Sequence, residues 1–95
     1  MSYRNLDQYQ KALNDYGKVI QLDPDNAVAY SGRGLAHHLL GRYQRAIADS
    51  TKAIQLDSDA AVVYFGRAIS YRSLGEYALA DADGTKACSF DSRTC

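Results

Sequence analysis

Apolar and small residues recur along this chain at spacings of three and four, the interval at which side chains share one face of an α-helix. Tyr43, Ala46, Ile47, Ser50, Ala53 and Ile54 form one such stripe, which predicts a helix over 42–56. A helix over 27–40 is expected ahead of it. There Asp23-Pro24-Asp25-Asn26 supplies a turn and an N-cap, because the Asn26 side chain can accept from the first free backbone amides. Gly41 stops that helix by taking the left-handed conformation with which many helices end. The same punctuation then repeats. Asp57-Ser58-Asp59 closes the second helix, with Asp59 read as the next cap, and helices are expected over 60–74 and 76–89 with Gly75 between them. A lone helix over 7–22 precedes both pairs, after a stub at 3–6, so the pattern predicts five helices and a stub.

The punctuation reflects an internal repeat at an offset of 34. Tyr9, Ala12, Asp15, Lys18, Ile20, Gln21, Leu22, Asp23 and Asp25 return as Tyr43, Ala46, Asp49, Lys52, Ile54, Gln55, Leu56, Asp57 and Asp59. Tyr30, Arg33, Leu40, Gly41, Tyr43 and Ala46 return in turn as Tyr64, Arg67, Leu74, Gly75, Tyr77 and Ala80. The chain divides into a partial unit over 1–26, a second over 27–60 and a third over 61–94. The last helix has Asp81 and Gly84 where earlier units have Leu13 and Tyr16, or Ile47 and Ser50. Its outer face is therefore more polar, as expected of a unit that closes an array. At the other end, Tyr9, Leu13 and Tyr16 are expected to lack part of their partner surface. That predicts self-association or low stability as a monomer.

Composition narrows the functional classes. The 95 residues are 46% hydrophobic and 23% charged, with 11 basic against 11 acidic residues. A zero formal charge leaves no surplus of Lys and Arg to hold nucleic acid or an anionic membrane. No segment approaches the ~18 apolar residues of a membrane span, and the N-terminus lacks a signal-like apolar stretch, so a cytoplasmic chain is expected. Two cysteines, Cys88 and Cys95, make no disulfide framework, which favours a reducing compartment.

The residues that carry a family resemblance are Tyr30, Gly34, Leu40, Gly41, Tyr43, Ala46, Ala53 and Leu56-Asp57. Tyr64, Tyr71, Gly75, Tyr77, Ala80 and Ala87 join them in the last unit, and Tyr9, Ala12, Leu22, Asp23 and Pro24 in the first. On these the chain resembles the tetratricopeptide repeats, whose helical hairpins stack into a right-handed superhelix. The resemblance implies an all-α solenoid of about two and a half to three helix-turn-helix units. It also shows departures. Tyr30 and Tyr64 stand for the family's Trp, His37 for its aromatic, Ala68 for its Gly, and Ser58 and Ser92 for its Pro.

The same resemblance implies a concave side lined by Val28, Ser31, Leu35, His38 and Leu39, then Val62, Phe65, Ile69, Arg72 and Ser73. Some members grip chaperone C-termini with Lys, Asn and Arg in these columns. Here those columns hold Ser31, Gly32, Leu35, Val62 and Gly66, so that clamp is absent. A mostly apolar lining implies an amphipathic or extended hydrophobic segment as ligand, hence a non-enzymatic protein-interaction module. The alternative is a structural unit that self-assembles into a homo-oligomer through exposed repeat faces.

Five further features bear on chemistry. Arg33 and Arg67 replace an apolar family residue, and Asp15, Asp49 and Asp83 recur on the second helices, which suggests structural ion pairs between hairpins. Gly32 and Gly66 repeat in mid-helix at about 1 kcal/mol each relative to Ala. Close packing of a neighbouring helix is the expected reason, with close approach of a ligand backbone as the alternative. His37 and His38 are adjacent and point to different sides, unlike metal ligands at helical spacing. The Asp23 loop lacks the glycine and glutamate of a calcium loop, having Val28 and Gly34 in those columns. Cys88 aligns with Ile20 and Ile54 as a small apolar filler. No catalytic set, metal site or cofactor motif is expected.

Overall fold

The computed structural model describes residues 3–57 and 60–94, so the cap expected at Asp59 and the terminal Cys95 lie outside the described residues. Five α-helices follow in order, α1 (Tyr3–Leu22), α2 (Ala27–Leu39), α3 (Tyr43–Leu56), α4 (Ala61–Ser73) and α5 (Tyr77–Phe90), ending in a 3-10 turn at Ser92–Thr94. There is no strand among the described residues. Each helix packs on the next, giving hairpins α2–α3 and α4–α5 with α1 stacked on α2. Among the described residues α2 also touches α4, whereas α1 and α3, and α3 and α5, do not touch. The all-α solenoid therefore curves with α2 and α4 on its inner side.

Local chemistry sets the helix ends. Asn26 caps α2 by accepting from the Ala29 amide at 3.0 Å. Gly41 and Gly75 turn the chain at φ +78° and +80°. The Arg42 and Glu76 amides then donate back to the His37 and Tyr71 carbonyls at 2.8 and 2.9 Å, satisfying the last turns of α2 and α4. At the position one repeat earlier stands Asp7. A non-glycine residue resists positive φ, and among the described residues no non-glycine residue adopts it. The stub expected at 3–6 and the helix expected over 7–22 are consequently one continuous element, α1.

The core is built on small residues: Ala29, Ala36, Ala46, Ala53, Ala68, Ala80 and Ala87 are all buried, joined by Leu13, Val63 and Tyr64. Alanine lets helix backbones approach closely. Gly34 carries this further, since a Cβ there would lie 3.2 Å from the Ala46 carbonyl oxygen and 3.3 Å from Asp49 Cβ. Leu13 was expected to be short of partner surface, yet α2 covers it, and Tyr9 and Tyr16 are half-buried. Cys88, expected as a small apolar filler, is half-buried on α5 and disulfide-bonded. Among the described residues no helix is long and apolar enough to cross a membrane.

Candidate functional site

The inner face of the curve is where α2 and α4 present the same columns one repeat apart. Val28 and Val62 are 77% and 71% exposed, and Leu35, Phe65 and Ile69 are exposed beside them. Burying such side chains on folding would stabilise each by about 1.5–3 kcal/mol, so five left open on one face are a concentration rather than scatter.

A cleft of about 250 Å³ opens between the two helices. Ser31, Leu35 and His38 line it from α2, Val62, Val63, Phe65, Gly66, Ile69 and Ser70 from α4, and Ser50 from α3. Val28 stands on the same face outside the cleft. Arg72 is exposed on α4 and borders a second depression between α4 and α5, with Phe65, Ile69, Asp81 and Gly84. No Lys, Arg, Asp or Glu lines the first cleft. Its titratable member is His38, whose Nδ1 lies 3.0 Å from Ser70 Oγ and whose ring packs on Tyr43 at 5.2 Å. Burial lowers the His38 pKa, so the imidazole is neutral near pH 7 and the cleft carries no charge.

Ser70 was not foreseen as a lining residue. It occupies the column of Ala36, and only the reach of His38 across from α2 gives its hydroxyl a role. Ser50 belonged to the expected α3 stripe, but its place in the cleft depends on how α3 and α4 pack.

The ion pairs lie behind this face. Arg33 Nε and Nη2 donate to Asp49 Oδ2 and Oδ1, both at 2.8 Å. Arg67 Nε and Nη2 do the same to Asp83, both at 2.7 Å, and Arg67 Nη1 reaches Thr51 Oγ1 at 3.1 Å. These forks raise both arginine pKa values by hydrogen bonding to the carboxylates, against the opposing effect of burial. Each guanidinium also lies over aromatic rings, Arg33 over Tyr30 at 5.5 Å and Arg67 over Tyr64 and Tyr71 at 5.6 and 5.8 Å. Both pairs join the two helices of one hairpin, not neighbouring hairpins as expected, because partners sixteen residues apart face each other across the turn. Asp15 is exposed and has no ion-pair partner among the described residues. His37 Nε2 sits 3.8 Å from Asp49 Oδ2, while its Nδ1 is buried without a partner. Burial lowers the His37 pKa and the Asp49 charge only partly opposes this.

Gly32 and Gly66 differ. A Cβ on Gly32 would run into the Tyr16 ring at Cζ, whereas one on Gly66 would meet nothing within 4 Å. Among the described residues there is no group of three or more His, Cys, Asp or Glu that could hold a metal ion.

Comparison with known proteins agrees with this architecture. A family model described as TPR repeat matches residues 2–41, and one described as Tetratricopeptide repeat matches residues 27–60. No curated protein matches at a significant level. Among solved structures, the TPR domain of Arabidopsis OM64 is 33% identical, with 92% of this chain and 72% of that chain covered at a TM-score of 0.89. The TPR2B domain of yeast Sti1, solved as a complex with pHsp70, is 30% identical, with 96% and 73% covered at a TM-score of 0.87. The second TPR of Spaghetti (RPAP3), bound to the HSP90 peptide SRMEEVD, is 26% identical, with 87% and 77% covered at a TM-score of 0.86. With helical hairpins repeating every 34 residues and these matches spanning nearly all of its length, the chain belongs to the tetratricopeptide repeat family.

Proposed function

We propose that this chain is a non-enzymatic protein-interaction module that holds an apolar peptide or partner helix on the inner face of α2 and α4. The observation that carries the reading is the grouping of Leu35, Val62, Phe65 and Ile69, all exposed, along one uncharged cleft, with Val28 exposed on the same face beside it. Similar domains in Sti1 and Spaghetti are bound to chaperone or chaperone-derived partners, which supports a peptide-binding role for this fold. The ligand chemistry differs. The peptide SRMEEVD brings three acidic side chains. A cleft without Lys or Arg offers them no counter-charge. An apolar segment suits this groove better, read through anchors spaced as i, i+3 or i+4 if it is helical.

Panning a random-peptide display library against the intact chain, followed by titration of the recovered peptides, tests the reading. Phe65→Ser is expected to weaken peptide binding at least tenfold while the helical content stays unchanged. If no peptide is recovered, and sedimentation shows concentration-dependent assembly that survives Phe65→Ser, the chain is instead a self-assembly unit acting through its exposed repeat faces.

A further inference from the structure

The repeat supplies its own template for part of the groove. At the junction of α1 and α2 the Tyr16 ring lies directly on the Gly32 backbone, so close that a Cβ on Gly32 would run into Cζ and lie 2.7 Å from the hydroxyl. One repeat on, Tyr16 becomes Ser50 while the glycine is kept as Gly66. The seat remains and its ring is gone: nothing stands within 4 Å of a Cβ on Gly66. The cleft of about 250 Å³ opens on this spot, with Ser50, Gly66, Val62, Phe65 and Ile69 in its lining. A site of this size has room for one six-membered ring, since an apolar cavity of about 150 Å³ is enough to bind benzene. Two buried hydroxyls belong to the same lining, Ser50 and Ser70, at 7% and 1% exposure. A phenolic hydroxyl entering the cleft would have polar neighbours to meet.

We infer that this vacated seat is a subsite for one aromatic side chain, tyrosine above others, supplied by the peptide that lies in the groove. The inference rests on the peptide-binding reading and names the anchor residue within it. The ligand's ring replaces in trans what Tyr16 provides in cis at the previous junction. Retention of glycine at position 66 fits this role, because a larger residue would fill the space that the incoming ring needs.

Protein-observed NMR with p-cresol, the tyrosine side chain as a free molecule, tests the subsite, with isobutanol as the aliphatic control. Saturable shifts are expected at the amides of Ser50, Gly66, Ile69 and Ser70, at least tenfold stronger in affinity for p-cresol than for isobutanol. Ser50→Tyr should fill the seat internally and weaken p-cresol binding at least tenfold. Gly66→Leu, which fills the seat from the other helix, should do the same and serves if Ser50→Tyr does not fold. Absence of saturable shifts, equal response to isobutanol, or unchanged p-cresol binding in the folded variant overturns the subsite. Failures of the two readings separate cleanly. Peptides that lose binding with Phe65→Ser but bind Ser50→Tyr undiminished leave the groove standing and remove the aromatic seat. Saturable p-cresol binding without any peptide partner removes the groove reading and leaves the seat.

Discussion

Arg67 is 17% exposed at its side chain and Asp83 only 8%, and both carboxylate oxygens are taken by the guanidinium. A buried pair of this kind is a weak source of net stability but a costly one to break, because the surviving charge has no solvent to return to. Arg67→Leu is expected to destabilise the chain by about 3 kcal/mol in urea unfolding, and adding Asp83→Leu to recover most of the loss. An unchanged midpoint for the single variant would mean that the pair has no structural role. Arg33 is more open, at 29%, so its loss is expected to matter less. These arginines were legible in the sequence as charged residues in an apolar column, with Asp15, Asp49 and Asp83 recurring on the second helices and a pairing between hairpins expected. Which Asp each one meets was not legible. That depends on the crossing geometry of a hairpin, which pairs positions sixteen apart.

At the scale of elements, the chain's glycines separate into those that shape the backbone and those that make room. Gly41 and Gly75 were recognisable as helix stops because each closes an apolar stripe, and both adopt positive φ. The continuity of α1 escaped the same reading, since a repeat suggests a break wherever its equivalents break. Asp7 in the glycine column lets the helix run on. Gly32 and Gly66 occupy one column and look equivalent in the sequence, yet their surroundings give them different tolerance. Gly66→Ala adds a Cβ in open space and is expected to stabilise the chain by about 1 kcal/mol through helix propensity. Gly32→Ala gains the same propensity but must displace the Tyr16 ring, so thermal denaturation is expected to show no gain or a net loss. Equal gains from both would show that the Tyr16 contact carries no energy.

For the whole molecule, a radius of gyration of 13.1 Å matches the ~13 Å of an ordinary compact domain near 100 residues. The stack is thus too short to behave as an extended rod, but its helices still touch mainly their sequence neighbours. In such quasi-one-dimensional architectures the ends open more readily than the middle. Hydrogen exchange is expected to be slowest in α2, α3 and α4, each flanked on two sides, and at least tenfold faster in α1 and in α5, whose helical packing is against α4 alone. Uniform protection along all five helices would show that the chain opens only as one cooperative unit.

The sequence by itself determined the helices of both hairpins, their glycine stops and the 34-residue unit, because these follow from local periodicity and from backbone preferences that one residue can express, and the solenoid was implied by the family resemblance those residues carry. The same resemblance marked the apolar column on α2 and α4. Tertiary structure decided what those columns face. Leu13 is covered and Val28 is not, Ser70 meets His38 across the groove, and one of two matched glycines is filled by a ring while the other stands open. Each of these outcomes is set by the packing distance between helices. A repeat pattern leaves that distance unstated, because the same column can be closed by a neighbour's side chain or left for a ligand.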